Sequence, residues 1–228
     1  MKRVSHTPNR LRAVLFDSGG VLMQPIGGRW NPRVDFERTV LAHAPAVTAA
    51  QFAAAIAVGD DFLAAQPGTP DYTDYHRALL AHLGVEATPR LLADLRRPVP
   101  PFEVVETFPD VEPTLAELRR RGVRMAVISD AWPNLPELHD GLGIGGYFEA
   151  YAISAVLGVC KPDPRMYRHA SSALGLAPEQ CLFVDDTPAL VAAAIGLGYE
   201  ARALCRDGGP PATTVPYITS LDQLLALF

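Results

Sequence analysis

Ala13-Val14-Leu15-Phe16-Asp17-Ser18-Gly19-Gly20-Val21-Leu22 carries a short apolar run straight into an acid and two glycines. Four apolar residues in a row mark a strand buried on both faces, as in a parallel sheet. The run ends on Asp17, and the glycines behind it supply a turn that holds backbone groups around the carboxylate. Further along, Met125-Ala126-Val127-Ile128 leads to Ser129-Asp130, and Cys181-Leu182-Phe183-Val184 leads to Asp185-Asp186, with Lys161-Pro162 between them. In a parallel α/β sheet the loops at the carboxyl ends of the strands gather on one edge, where ligands bind. The four pieces are expected to form one site with three carboxylates, a lysine and a hydroxyl. That inventory suits phosphate and a divalent metal.

Strand-like runs at 13–17, 124–129, 148–154, 181–185 and 200–204 alternate, after the first, with helical patterns at 111–121, 135–142, 164–174 and 188–197. Such alternation predicts a doubly wound parallel α/β sheet, Rossmann-like in plan. Between the first two strands the alternation breaks, and every periodic segment reads as helix: 36–44, 49–65, 72–83 and 88–95. Pro67-Gly-Thr-Pro70 and Pro98-Val-Pro-Pro-Phe102 punctuate this block. At about sixty residues it is too long for a crossover, so it is expected to be a small inserted α-helical cap. The expected division is an α/β core at 1–24 and 105–228, with a cap and its linkers at 25–104. Pro25–Pro32 and Pro98–Phe108 are the linker and hinge candidates.

The bulk properties fit this plan. A chain of 228 residues suits one large domain or a core with a modest insertion. A net charge of −5 offers no basic surplus for nucleic acid. Cys160, Cys181 and Cys205 are odd in number and lack C-x-x-C spacing, so neither a disulfide framework nor a structural zinc is expected, and a reducing cytoplasm fits. Lys2, Arg3, Arg10 and Arg12 stand in an N-terminal stretch with no apolar segment, which reads as a frayed tail rather than a signal or anchor. No apolar run reaches the length of a membrane span. A monomer and a homodimer are equally compatible with the sequence.

Each motif also has an ordinary structural reading. Taken alone, Asp17 fits a turn cap as well as a nucleophile or metal ligand. Ser129-Asp130 can cap a helix, and the same hydroxyl with nearby N–H groups suits a phosphate oxygen. Lys161 stands beside prolines at a helix start, where its position is constrained as a charge clamp requires. Asp185 and Asp186 repel one another unless a cation lies between them, and Mg²⁺ commonly takes one or two carboxylates plus phosphate and water. Gly141-Leu-Gly-Ile-Gly-Gly146 matches G-x-G-x-x-G, but it follows a helix and precedes a strand, the reverse of a dinucleotide fingerprint. It reads as a helix C-terminal turn. His76 and His139 lack a second ligand nearby and read as surface or packing residues, and Trp30 at the cap entrance could touch substrate but reads first as an aromatic packed at a linker.

Together the four pieces resemble the haloacid dehalogenase superfamily, chiefly its phosphatases with a helical cap inserted after the first motif. Phe-Asp17-Ser-Gly-Gly-Val-Leu looks like motif one, Val-Ile-Ser129-Asp motif two, Cys-Lys161-Pro-Asp-Pro motif three and Phe-Val-Asp185-Asp186 motif four. The resemblance spans nearly the whole chain from Leu11. It implies that Asp17 attacks phosphorus and forms an aspartyl-phosphate, splitting one displacement into two easier ones. It implies Mg²⁺ held by Asp17, the Gly19 carbonyl and Asp186, with Asp185 close by. Ser129, Asp130, Gly20 and Lys161 would bind the phosphoryl group of a small phosphorylated substrate.

Three departures matter. The family's phosphatases usually place a second Asp two residues after the nucleophile as general acid, and Gly19 stands there. General acid–base help is worth about 10²–10⁴-fold. A substrate with a good leaving group needs none, a cap-entry carboxylate (Asp35 or Glu37) could substitute, or the protein binds a phosphorylated ligand without turnover. Leu190 stands where many relatives carry asparagine, and Asp130 likewise. A metal-independent 2-haloacid dehalogenase is the alternative enzyme, but its fourth motif is typically less acidic than Asp185-Asp186.

Overall fold

The structure, a computed structural model, describes residues 11–66, 68–209 and 214–228. The basic tail before Leu11, and Pro67 of the Pro-Gly-Thr-Pro punctuation, lie outside the described residues.

The chain opens with β1 (Ala13–Phe16) and β2 (Met23–Pro25) and then forms four helices, α1 (Phe36–Leu41), α2 (Ala49–Ala64), α3 (Tyr72–Leu83) and α4 (Pro89–Leu95). It returns through β3 (Val105–Thr107) and continues as α5 (Val111–Arg120), β4 (Arg124–Ser129), α6 (Leu135–Gly141), β5 (Ala150–Ile153) and α7 (Ser154–Leu157). The last elements are α8 (Pro164–Ala173), β6 (Cys181–Asp185), α9 (Pro188–Gly196), β7 (Glu200–Leu204) and β8 (Tyr217–Ile218), followed by a 3₁₀ segment at Leu221–Leu227.

Six strands pair in the order β5-β4-β1-β6-β7-β8, every pair parallel. The expected doubly wound α/β sheet is present, and its strands bury both faces as their apolar runs require. Along β1, Val14 and Phe16 enter one core, shared with Leu182 and Val184 of β6; Ala13 and Leu15 enter the other, shared with Cys181 and Phe183. All four β1 residues are fully buried.

The helical block has an apolar core of its own, built from Phe36, Phe52, Tyr75, Leu79, Leu80 and Leu91 among others. Full burial of a leucine such as Leu79 contributes about 1.5–3 kcal/mol. Local chemistry sets the helix limits. Thr48 and Gln51 form a reciprocal capping box at the start of α2. Asp71 caps α3, and Gly84 at φ 67° ends it in the left-handed region.

The structure differs from the sequence expectations in a few places. The segment expected as a loose hinge at 98–108 contains a 3₁₀ turn (Pro101–Glu103) and β3, which pairs antiparallel with β2 through Met23↔Thr107 and Pro25↔Val105. Strands of three residues are too short to show a period, and Pro25 is tolerated only because this ribbon is all edge. The strand expected at 148–154 is confined to Ala150–Ile153, because Ser154 opens α7. Finally, β8 and the 3₁₀ segment at 221–227 were not expected, although Leu221 and Leu224 are fully buried there. The glycine run at 141–146 begins on Gly141, the last residue of α6, and precedes β5, as a helix-terminal turn should. No helix among the described residues is long and apolar enough to cross a membrane.

Candidate active site

Strand order reverses between β1 and β6. From β1 the chain proceeds outward to β4 and β5 on one side, then to β6, β7 and β8 on the other. Ligands bind at such a switch point, outside the carboxyl ends of the strands. Asp17 is the first residue after β1, and its N–H donates to the Val184 carbonyl of β6 at 2.8 Å, which ties the two strand ends together. Ser129 ends β4, Asp185 ends β6, and Lys161 arrives from the turn between α7 and α8.

Lys161 joins these pieces. Its Nζ lies 2.8 Å from Asp17 Oδ1 and 2.7 Å from Asp185 Oδ2. Its backbone N–H donates to Asp130 Oδ1 at 3.0 Å. The other Asp185 oxygen accepts from the Thr187 N–H at 2.8 Å, and Asp186 Oδ1 accepts from the Thr187 hydroxyl at 3.3 Å. Asp17, Asp185 and Asp186 each offer a carboxyl oxygen within 4.8 Å of the others. Three carboxylates against one ammonium leave the cluster two negative charges in excess.

Burial shifts these carboxyls more than their mutual charge does. Burial pushes the Asp17 carboxyl up to about 7, against the pull of Lys161 and with the repulsion of Asp185. Burial, then Asp185, also raises Asp186, and burial raises Asp130. Lys161 is held protonated: burial disfavours its charge, but Asp17 and Asp185 outweigh burial. A donor set of clustered carboxyl oxygens with surplus negative charge fits a hard divalent cation.

The glycine turn is shaped by its neighbours. Gly20 has φ 72°, and a Cβ there would lie 2.0 Å from Asp186 Oδ2. No side chain is compatible with both constraints. A Cβ on Gly19 would lie 2.9 Å from Cζ2 of Trp30. The Gly20 and Val21 carbonyls accept from Arg206 at 3.2 and 2.7 Å. Ser18, fully buried, shares a hydrogen bond with His139.

The site opens into a cavity of about 940 Å³ lined by Asp17, Gly19, Ser129, Asp130, Lys161, Asp185, Asp186 and Leu190. Its opposite lining comes from the helical block and its connections: Arg29, Trp30, Arg33, Tyr72, Arg96 and Arg97. Trp132, from the turn after β4, spans the two parts. Its Nε1 donates to the Pro70 carbonyl at 2.9 Å, and its ring meets Tyr72 edge-on at 4.6 Å.

The two substitute acids considered from sequence are both engaged elsewhere. Asp35 binds Arg33 through both oxygens at 2.6 and 3.1 Å and also pairs with Arg97. Glu37 binds Arg29 at 2.6 Å. His76 is buried between Phe36 and Tyr72, and His139 is buried under the nucleophile turn rather than on the surface. Sequence reasoning missed Trp132, the four cavity arginines and Arg206. Only Trp132 carried a signal, standing three residues after Ser129 at the carboxyl end of a strand.

Residues 11–198 match the haloacid dehalogenase-like hydrolase family, and the chain belongs to it. A phosphoserine phosphatase of Thermus thermophilus is 42% identical over 82 residues, 36% of this chain and 33% of the relative. A haloacetate dehalogenase of Moraxella is 30% identical over 133 residues, 54% of this chain and 58% of the relative. The chain spans from a fifth to under three fifths of the length of these and other curated relatives it matches. In fold it is similar to a 2-haloacid dehalogenase from Pseudomonas syringae, with a TM-score of 0.68 at 22% identity over 95% of this chain and 97% of that one.

Proposed function

We propose that this hydrolase cleaves a small phosphorylated metabolite through an aspartyl-phosphate on Asp17. The observation that carries the reading is the Lys161 bridge between Asp17 and Asp185, with Asp186 alongside, at the switch point of the sheet. An Asp17 oxygen attacks phosphorus while the bond to the leaving oxygen breaks, and water then releases phosphate and restores the carboxylate. Lys161 keeps Asp17 oriented and offsets phosphoryl charge. Ser129, Asp130 and the turn at Gly20 form the rest of the phosphoryl pocket.

Asp17, Asp186 and the Gly19 carbonyl, with Asp185 adjacent, would hold Mg²⁺. When bound, the ion neutralises the repulsion between an anionic nucleophile and an anionic substrate. Residues 25–104 act as the cap with its linkers, over a core of 1–24 and 105–228; the separate apolar core of the helices and the β2–β3 ribbon at their base support this division. Three free cysteines support a reducing cytoplasmic setting, with the protein working as monomer or homodimer.

The alternative is a metal-independent 2-haloacid dehalogenase, which the Moraxella relative favours. The clustered carboxylates of Asp17, Asp185 and Asp186 argue against it, because without a cation between them they would repel a haloacid's own carboxylate. The deciding experiment is phosphate release from p-nitrophenyl phosphate by wild type and Asp17→Asn, with Mg²⁺ and with EDTA. Turnover abolished by both changes supports the phosphatase. Halide release from 2-haloacids that persists in EDTA would replace that reading, and neither activity in a folded protein would point to a binding role.

A further inference from the structure

We infer that Trp30 is a specificity-determining residue: its indole fills the place from which a carboxylate at position 19 would act, so the enzyme takes esters whose leaving groups depart without a proton. This rests on the phosphatase reading above. Gly19 lies two residues beyond Asp17 and lines the same cavity as the nucleophile. A Cβ at Gly19 would lie 2.9 Å from Cζ2 of Trp30, closer than Cβ atoms approach a neighbour, and 3.3 Å from its Cε2. Gly19 has no positive φ to demand glycine, so in this arrangement it is the Trp30 ring that a side chain there would have to displace. Trp30 remains 43% exposed and lines that cavity.

Among the described residues, most carboxylates near the site are engaged elsewhere. Asp35 and Glu37 are held by arginines. Asp130 accepts the Lys161 N–H, and Asp185 is bound by Lys161 and Thr187. Tyr72 carries a phenol that burial pushes above its ordinary range. Glu137, exposed on α6 at the cavity edge, is the remaining carboxylate to be tested.

The bond changes balance without an acid. Asp17 attacks phosphorus and the leaving oxygen departs as an anion with the bonding pair. Water then attacks phosphorus, the Asp17–phosphorus oxygen bond breaks, and the water protons leave on dihydrogen phosphate. Acyl, enol, aryl and anomeric phosphates tolerate this first step, whereas simple alkyl phosphates do not.

The test is kcat/KM across aryl and alkyl phosphates of graded leaving-group pKa with Mg²⁺, for wild type, Gly19→Asp, Trp30→Ala, the double variant and Glu137→Gln, each checked for folding by thermal melt. Wild type is expected to fall steeply as leaving-group pKa rises. The double variant is expected to gain about 10²-fold on alkyl esters over Trp30→Ala, the low end of general-acid assistance, while Gly19→Asp alone gains nothing. A shallow dependence in wild type overturns the inference even if no variant folds, as does a steeper one in Glu137→Gln or an equal gain from Gly19→Asp alone. Absence of turnover on every ester overturns the phosphatase reading and the inference with it.

Discussion

Nε2 of His139 lies 2.8 Å from the Ser18 hydroxyl, directly behind the nucleophile turn, and its Nδ1 lies 3.1 Å from the Tyr151 hydroxyl. A neutral imidazole donates through one nitrogen and accepts through the other, and a hydroxyl takes either role, so the uncharged ring satisfies both hydroxyls. Burial holds its pKa down to about 4.

The consequence is a pH-dependent stability. Between pH 6.5 and 4 the unfolded chain binds a proton at this histidine that the folded chain does not. Its contribution is therefore complete above 6.5 and lost as pH falls toward 4, up to about 3 kcal/mol. Burial lowers His76 to about 4 as well, with the same sign. Asp17 acts oppositely: raised to about 7, it holds a proton in the folded chain between pH 3.8 and 7, so its contribution declines as pH rises. Urea midpoints of the metal-free protein should fall more steeply with acid in wild type than in His139→Gln. Equal slopes would mean that His139 is already charged in the fold.

Gly20 should be less replaceable than other left-handed glycines. Gly28 has φ 79° and nothing within 4 Å of the place a methyl group would occupy, so Gly28→Ala isolates the backbone strain, about 1 kcal/mol. Gly20→Ala adds a collision with Asp186. It should lose Mg²⁺ affinity and most phosphatase activity, read by calorimetric Mg²⁺ titration beside the assay. Equal effects of the two substitutions would refute this.

Much of the site was legible because its groups end apolar strands: Asp17, Ser129 and Asp185 each close a run that could only be buried. Lys161 was legible from its prolines. The opposite wall was not. Arg33 and Arg97 are 64 residues apart in sequence and meet on Asp35, and no local pattern marks a residue whose partner is set by how helices pack. Trp30 reads as linker packing or a substrate contact, and only the fold places its ring against Gly19. The β2–β3 ribbon was illegible for a related reason, since three residues carry no period.

Asp35 should behave as a scaffold for arginines and not as an acid. Burial opposes its charge, but Arg33 and Arg97 prevail and hold its carboxyl below the usual range. A group so held is a poor proton donor near neutrality. Asp35→Asn should raise KM several-fold by releasing Arg33 and Arg97 from the cavity wall, with the pH profile of kcat unchanged. Loss of the alkaline limb of that profile would make Asp35 the acid after all.

Arg206 should prove a positioning residue despite its distance in sequence from every motif. It donates to the Gly20 and Val21 carbonyls, grips both oxygens of Asp110 at 3.0 and 3.1 Å, and lies 3.7 Å over the Phe108 ring. Asp110 in turn accepts the Leu221 N–H at 2.8 Å, so one guanidinium ties the nucleophile turn to the segment leaving β3 and to the C-terminal 3₁₀ segment. Arg206→Met should destabilise the fold by about 1–3 kcal/mol by stranding these partners and should lower kcat more than it raises KM. Arg206→Lys should not rescue it, because an ammonium cannot span two carbonyls and a carboxylate with the same planar fork. Arg165→Met is the control: Arg165 pairs with Asp163 at a solvent-exposed helix start, where removal should leave stability nearly unchanged. Similar losses from both variants would reduce Arg206 to an ordinary surface pair and leave the turn to be held by its backbone alone.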